Sequence, residues 1–114
     1  MKTPDELLAE RDRKVQERKE SDLRRILKMP EGRRFVWGIL EETGQFKSSY
    51  VAGDPHATTM NEGRRDVGLG LMRSLMMVAP EVYHQMALED TSEKKDFNMK
   101  LEEARKEEER QRGF

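Results

Sequence analysis

Proline fixes its own backbone near the helical φ and has no N–H to give, so it suits the first turn of a helix and breaks a helix anywhere else. Four prolines stand in this chain, at positions 4, 30, 55 and 80, and each precedes a stretch without strand alternation. They therefore fix where helices can begin and how far each can run. Thr3-Pro4-Asp5-Glu6 reads as a helix start, with Thr3 as N-cap, Pro4 at the first helical position and Glu6 three residues after the cap. Met29-Pro30 ends that helix and opens the next, with Glu31 in its first turn, where the helix dipole favours a carboxylate. Asp54-Pro55 opens a third helix that runs to about Ala79, and Ala79-Pro80-Glu81 stops it and starts a fourth. The fold predicted is all-α: a small helical bundle with long charged N- and C-terminal helices.

The large apolar residues lie almost wholly between Leu23 and Leu88, whereas Met1–Asp22 and Glu89–Phe114 are mostly Glu, Lys, Arg and Asp. This divides the chain into a charged N-terminal helix (1–28), a helical core (29–88) and a charged C-terminal helix or tail (89–114). In the last span Thr91 or Ser92 is a candidate N-cap of a separate helix, with Phe97, Leu101 and Ala104 as a thin apolar stripe. A central block of about 65 residues buries only a little over half of its unfolded surface. Oligomerisation is one of the few routes by which so small a core gains stability, so a partner surface, including a homo-oligomer, is expected.

Within the core, a spacing of three and four assigns Gly32, Phe35, Val36, Ile39, Leu40 and Thr43 to the inward face of the second helix, which Gly44 ends. The loop that follows is rich in turn formers, and its Phe46, Tyr50 and Val51 are expected to fold back on the core. Met60, Gly63, Val67, Gly70, Leu71, Ser74 and Val78 share one side of the third helix. From Val67 onward that helix is apolar all round except at Arg73, which predicts a central, buried position.

Charge and chemistry exclude more than they suggest. The net charge is −1 and each third of the chain is nearly balanced, which argues against a general polyanion binder while leaving nucleic acid open as a partner. With no cysteine there is neither a disulfide nor thiolate chemistry. The N-terminus lacks an apolar stretch of signal-peptide length, and the Val67–Ala79 run is too short for a bilayer and broken by Arg73, so a soluble protein without a membrane partner is expected. His56 and His84 form no metal-ligand motif, Ser48 and Ser49 lack the glycines of a nucleophile elbow, and Gly68-Leu69-Gly70 lies in a helical pattern rather than a phosphate loop. The expectation is a protein with no catalytic residue, no metal and no cofactor.

One motif remains. Glu-Gly-Arg-Arg occurs at 31–34 and again at 62–65, and superposing the copies also superposes Val36 on Val67 and Leu40 on Leu71. A structural reading makes Gly32 and Gly63 the points where two helices cross closely, with Arg33, Arg34, Arg64 and Arg65 bonded to nearby carboxylates such as Glu31, Glu41, Glu42, Glu62 and Asp66. A functional reading gathers the four arginines into one patch for phosphate or an acidic partner, since the guanidinium fork suits bidentate contacts. Trp37, the single tryptophan, lies one turn after Arg33 and serves either the core or an interface. Met60, Met72, Met76, Met77 and Met86 crowd the third and fourth helices, where methionine fills irregular gaps or adaptable contact surfaces.

The stretch "PEGRRFVWGILEETGQFKSSYV", followed by "NEGRRDVGLGLM" and "APEVYHQM", resembles a family of small proteins of tailed bacteriophages, the Bordetella-phage type, encoded among virion structural genes. The similarity covers about Leu27 to Met86, and "NEGRRDVGL" is its most specific part. What the resemblance implies is a phage protein associated with the particle, acting through contacts with other virion proteins at the head, the head–tail junction or among internal proteins, in the virion or the host cytoplasm. It implies no chemistry at particular residues. The other reading is a phage-encoded regulatory binder of a host protein or nucleic acid.

Overall fold

The computed structural model describes residues 1–113, which form four helices: α1 (Pro4–Leu27), α2 (Pro30–Glu42), α3 (Pro55–Val78) and α4 (Pro80–Gly113). Phe114, the end of the C-terminal span, lies outside the described residues, and no strand occurs among them. Each helix begins on one of the four prolines. The Thr3 hydroxyl accepts the Glu6 N–H at 3.2 Å, and the Asp54 carboxylate accepts the Ala57 N–H at 2.9 Å, so α1 and α3 carry side-chain caps. At the C-terminus of α2, Gly44 takes a φ of +75°, and Gly44 N–H bonds Glu41 O while Gln45 N–H bonds Leu40 O, both at 3.0 Å. This pair of bonds satisfies two end carbonyls and turns the chain out of the helix, a geometry that favours glycine.

The core is small and lies where the C-terminal end of α1, α2, the second half of α3 and the start of α4 meet. Its buried members are Leu23, Leu27, Val36, Leu40, Leu75, Ala79 and Met86, with Trp37, Leu71, Met72, Val78, Val82 and Tyr83 packed around them. Beyond that knot the two ends of the chain project. The radius of gyration is 21.1 Å and the extents are 86 × 41 × 17 Å, whereas a compact chain of this length would have a radius of gyration near 13 Å. The N-terminal part of α1 and the part of α4 beyond Asp90 are exposed arms, laced by pairs such as Lys14–Glu10 at 3.0 Å and Lys106–Glu102 at 3.7 Å. Exposed pairs of this kind are screened by water and contribute little, so the arms rest mainly on backbone propensity and on their rooted ends.

Three expectations from the sequence are corrected. No new helix begins at Thr91 or Ser92: α4 is continuous, and the Thr91 hydroxyl donates to Ala87 O at 2.8 Å within the helix. Nothing near that point removes a backbone bond, and threonine satisfies itself on the carbonyl four residues back. Nor is α3 a buried central helix. Its fully buried residues are Gly68 and Leu75, while Val67 and Met77 are each 76% exposed. The helix carries two apolar stripes, and the packed one runs through Gly68, Leu71, Met72, Leu75 and Val78. Finally, Phe35 and Tyr50 point outward, each 71% exposed, and Val51 is exposed too. The ring that does return from the loop is Phe46, which stacks on Trp37.

Candidate functional site

Arg33 stands one turn into α2 and its side chain turns toward α4, where little of it remains exposed. Its Nε donates to the two carboxylate oxygens of Glu89 at 2.9 and 3.2 Å, and its Nη1 donates to Leu27 O at 3.0 Å. Leu27 O is among the last carbonyls of α1, which have no partner inside their own helix. One guanidinium therefore ties α1, α2 and α4 together. The next residue, Arg34, is exposed and makes no ion pair among the described residues.

Beyond this tie the space between α2 and α4 is a groove of about 550 Å³. Trp37, Met86 and Phe97 give it an apolar floor, and Arg34, Glu41, Glu93 and Lys94 give it charged edges of both signs. Lys94 reaches Asp90 at 2.9 Å and Glu41 at 3.5 Å, bridging the two helices. Its hydrogen bond to Asp90, with the charge of Glu41 adding to it, holds the ammonium above the ordinary lysine value. Trp37 is stacked on Phe46 at 4.7 Å between ring centroids and tilted against Tyr83 at 5.7 Å. Its indole N–H is buried and has no acceptor among the described residues. A tryptophan N–H usually finds a partner when buried, because an unpaired one forfeits its hydration.

The second motif copy does different work. Glu62–Arg65 lies two turns inside α3 rather than at a helix head. There it holds the loop after α2: Gln45 Nε2 donates to Arg65 O at 2.8 Å, Asn61 Nδ2 donates to Ser49 O at 3.2 Å, and Arg65 Nη1 reaches Lys47 O at 3.4 Å. Arg64 lines a shallow depression beside Ser48 and Ser49. The four arginines thus do not gather into one patch: Arg33 and Arg34 line the α2–α4 groove and Arg64 and Arg65 lie along the loop. The partner of Arg33 is Glu89, which the motif itself did not suggest.

The glycines divide in the same way. A Cβ on Gly32 would sit 2.0 Å from Ile26 O, so Gly32 lets the first turn of α2 press on the last turn of α1. Gly63 is exposed, and a Cβ there would meet nothing within 4 Å, so no close crossing occurs at it among the described residues. The approach of α2 to α3 is made at Gly68, where a Cβ would lie 1.9 Å from Thr43 Oγ1. The repeat directed attention to Gly63, five residues too early, because Gly68 offered only its helical context as a signal.

His56 and His84 are exposed, and no group of three or more His, Cys, Asp or Glu among the described residues is placed to hold a metal ion. No described helix is long and apolar enough to cross a membrane. Fold and groove define a small, elongated all-α protein with an apolar, charge-edged cleft between two of its helices. The family model described as "Bbp19-like phage protein" matches residues 23–87, a span that starts at the first buried residue and ends one past the last. The chain belongs to this family of phage proteins. None of the curated proteins or solved structures compared with it gives a significant match.

Proposed function

We propose that this phage protein is a virion-associated structural or assembly protein that works by binding other virion proteins, at the head, the head–tail junction or among internal proteins, and not as an enzyme. The observation that carries the reading is the α2–α4 groove. Its floor joins a tryptophan, a methionine and a 62%-exposed phenylalanine, and its edges carry unneutralised and bridged charges of both signs. An amphipathic helix laid into such a groove would cover the apolar floor and meet the edges with its own charges. Tryptophan and arginine are the residue types that most often anchor an interface of this kind, and Trp37 and Arg34 stand side by side there.

Mass spectrometry of purified particles tests the proposal. Stoichiometric amounts of the protein support it. Absence from particles, with the protein abundant in infected cytoplasm, transfers the role to a regulatory binder of a host protein or nucleic acid. Phe97→Glu sharpens the test: because Phe97 is mostly exposed, the variant should keep its melting curve and lose incorporation.

A further inference from the structure

Set apart from the groove, the outer side of α3 carries Met60, Gly63, Val67, Gly70, Ser74 and Met77, spaced alternately by three and four residues. This is the a/d spacing of a two-helix seam, sustained over about five turns. Met60 is 52% exposed and Val67 and Met77 are 76% exposed, so most of the stripe lies uncovered among the described residues, Ser74 alone being partly buried. A Cβ on Gly63 or Gly70 would meet nothing within 4 Å. Both glycines weaken the helix that holds them, and among the described residues neither serves a close approach.

We propose that the outer face of α3 pairs, antiparallel, with the same face of a second copy of this chain. The charges beside the stripe select this occupant and this direction. Asp66 and Arg73 flank the seam on one side, both are exposed, and neither joins an ion pair among the described residues. In an antiparallel pair Met60 faces the partner's Met77, Gly63 faces the partner's Ser74, and Val67 faces the partner's Gly70. Every layer between the ends then holds at least one small residue, which lets the backbones approach, and methionines close the two ends. The same register sets Asp66 against the partner's Arg73, and the two-fold axis makes that pair twice. A parallel pair sets Asp66 beside the partner's Leu71 instead and leaves both charges unmatched. Self-complementarity of this kind is what an isologous interface requires. The inference does not rest on the virion reading, because it concerns the purified chain alone.

Sedimentation of the full chain at tens of micromolar should show a dimer; a monomer at that concentration overturns the proposal. The chain has no cysteine, so introduced ones report without background. The Met60→Cys, Met77→Cys double variant should oxidise to a covalent dimer, while Met60→Cys alone should not link to itself. Efficient linking of Met60→Cys alone would mean a parallel pair and would overturn the register. Asp66→Arg should weaken dimerisation on the order of tenfold, by turning two attractions into two repulsions, and adding Arg73→Asp should restore it. A dimer indifferent to Asp66→Arg places its interface elsewhere and refutes the assignment. Particle composition does not enter these readouts, so the proposal and the virion role fail separately.

Discussion

Gly68→Ala is the smallest substitution that probes how α2 and α3 are held together. The added methyl would lie 1.9 Å from Thr43 Oγ1, 2.5 Å from Thr43 Cβ and 2.7 Å from Gln45 Nε2. Ordinary contact needs about 3.5–4.0 Å, so the neighbours must retreat by more than an ångström. Thr43 cannot do so by rotation alone, since the clash includes its Cβ and its hydroxyl is bound to Ile39 O at 2.8 Å. The C-terminal turn of α2 must move, and Gln45 then loses its 2.8 Å bond to Arg65 O. Overpacking of this kind costs about 1–3 kcal/mol and the lost bond about 1 kcal/mol, against a helix-propensity gain of about 1 kcal/mol. The net is a destabilisation near 2 kcal/mol, which for a cooperative unit of this size lowers Tm by roughly 8–16 °C. Gly38→Ala is the matched control: it lies inside α2, a Cβ there meets nothing within 4 Å, and its Tm should rise slightly. Thermal unfolding followed by circular dichroism reads both. A Gly68→Ala protein as stable as the parent would falsify the packing argument for α2 against α3.

The remaining expectations concern charge and the seam. Arg33→Met should destabilise by about 1.5–3 kcal/mol in urea unfolding, because it strips Glu89 and Leu27 O of a charged donor, whereas the exposed Arg34→Ala should stay within about 0.5 kcal/mol of the parent; equal losses would remove Arg33 from its role as the tie. Gly63→Leu should leave the stability of the monomer unchanged or slightly raised, through helix propensity, while sedimentation shows weaker self-association. Lys2, by hydrogen bond, and then Lys14 hold the Glu10 carboxyl below its usual value of 4.5. A carboxylate lowered on folding contributes above its unfolded value and loses that contribution as the pH falls through its folded one. Helicity at the start of α1 should therefore persist to a pH below 4.5 and then decline, less so in high salt; a side-chain titration of Glu10 at or above the ordinary value would contradict this.

The element plan was legible because proline acts locally: each of Pro4, Pro30, Pro55 and Pro80 marks a helix start without reference to tertiary contacts. The facing of α3 was not legible. Val67 and Leu71 are equally apolar in sequence, and tertiary contacts, the seat of Thr43 on Gly68 and the burial of Leu75 among them, decide which stripe turns inward. The groove was half visible. Arg33, Arg34 and Trp37 stood out in the motif, but Glu89 and Lys94 lie more than fifty residues away in a charged segment with many equivalent carboxylates and amines. Long-range ion pairs leave no spacing to read. The continuity of α4 was missed for the opposite reason, since Thr91 and Ser92 have the chemistry of a cap and no break to use it on.

The arms make the Arg33 tie a mechanical joint. From Asp90 to its end α4 reaches about 35 Å, so a tilt of 10° at the root would swing the tip by about 6 Å. Where the far end of α4 points is thus governed at its root, where Arg33–Glu89 and Lys94–Glu41 hold it to α2, not along the lever itself. Residues in the lever can drift while its aim holds, and a small change at Arg33 or Glu89 would redirect everything the arm carries.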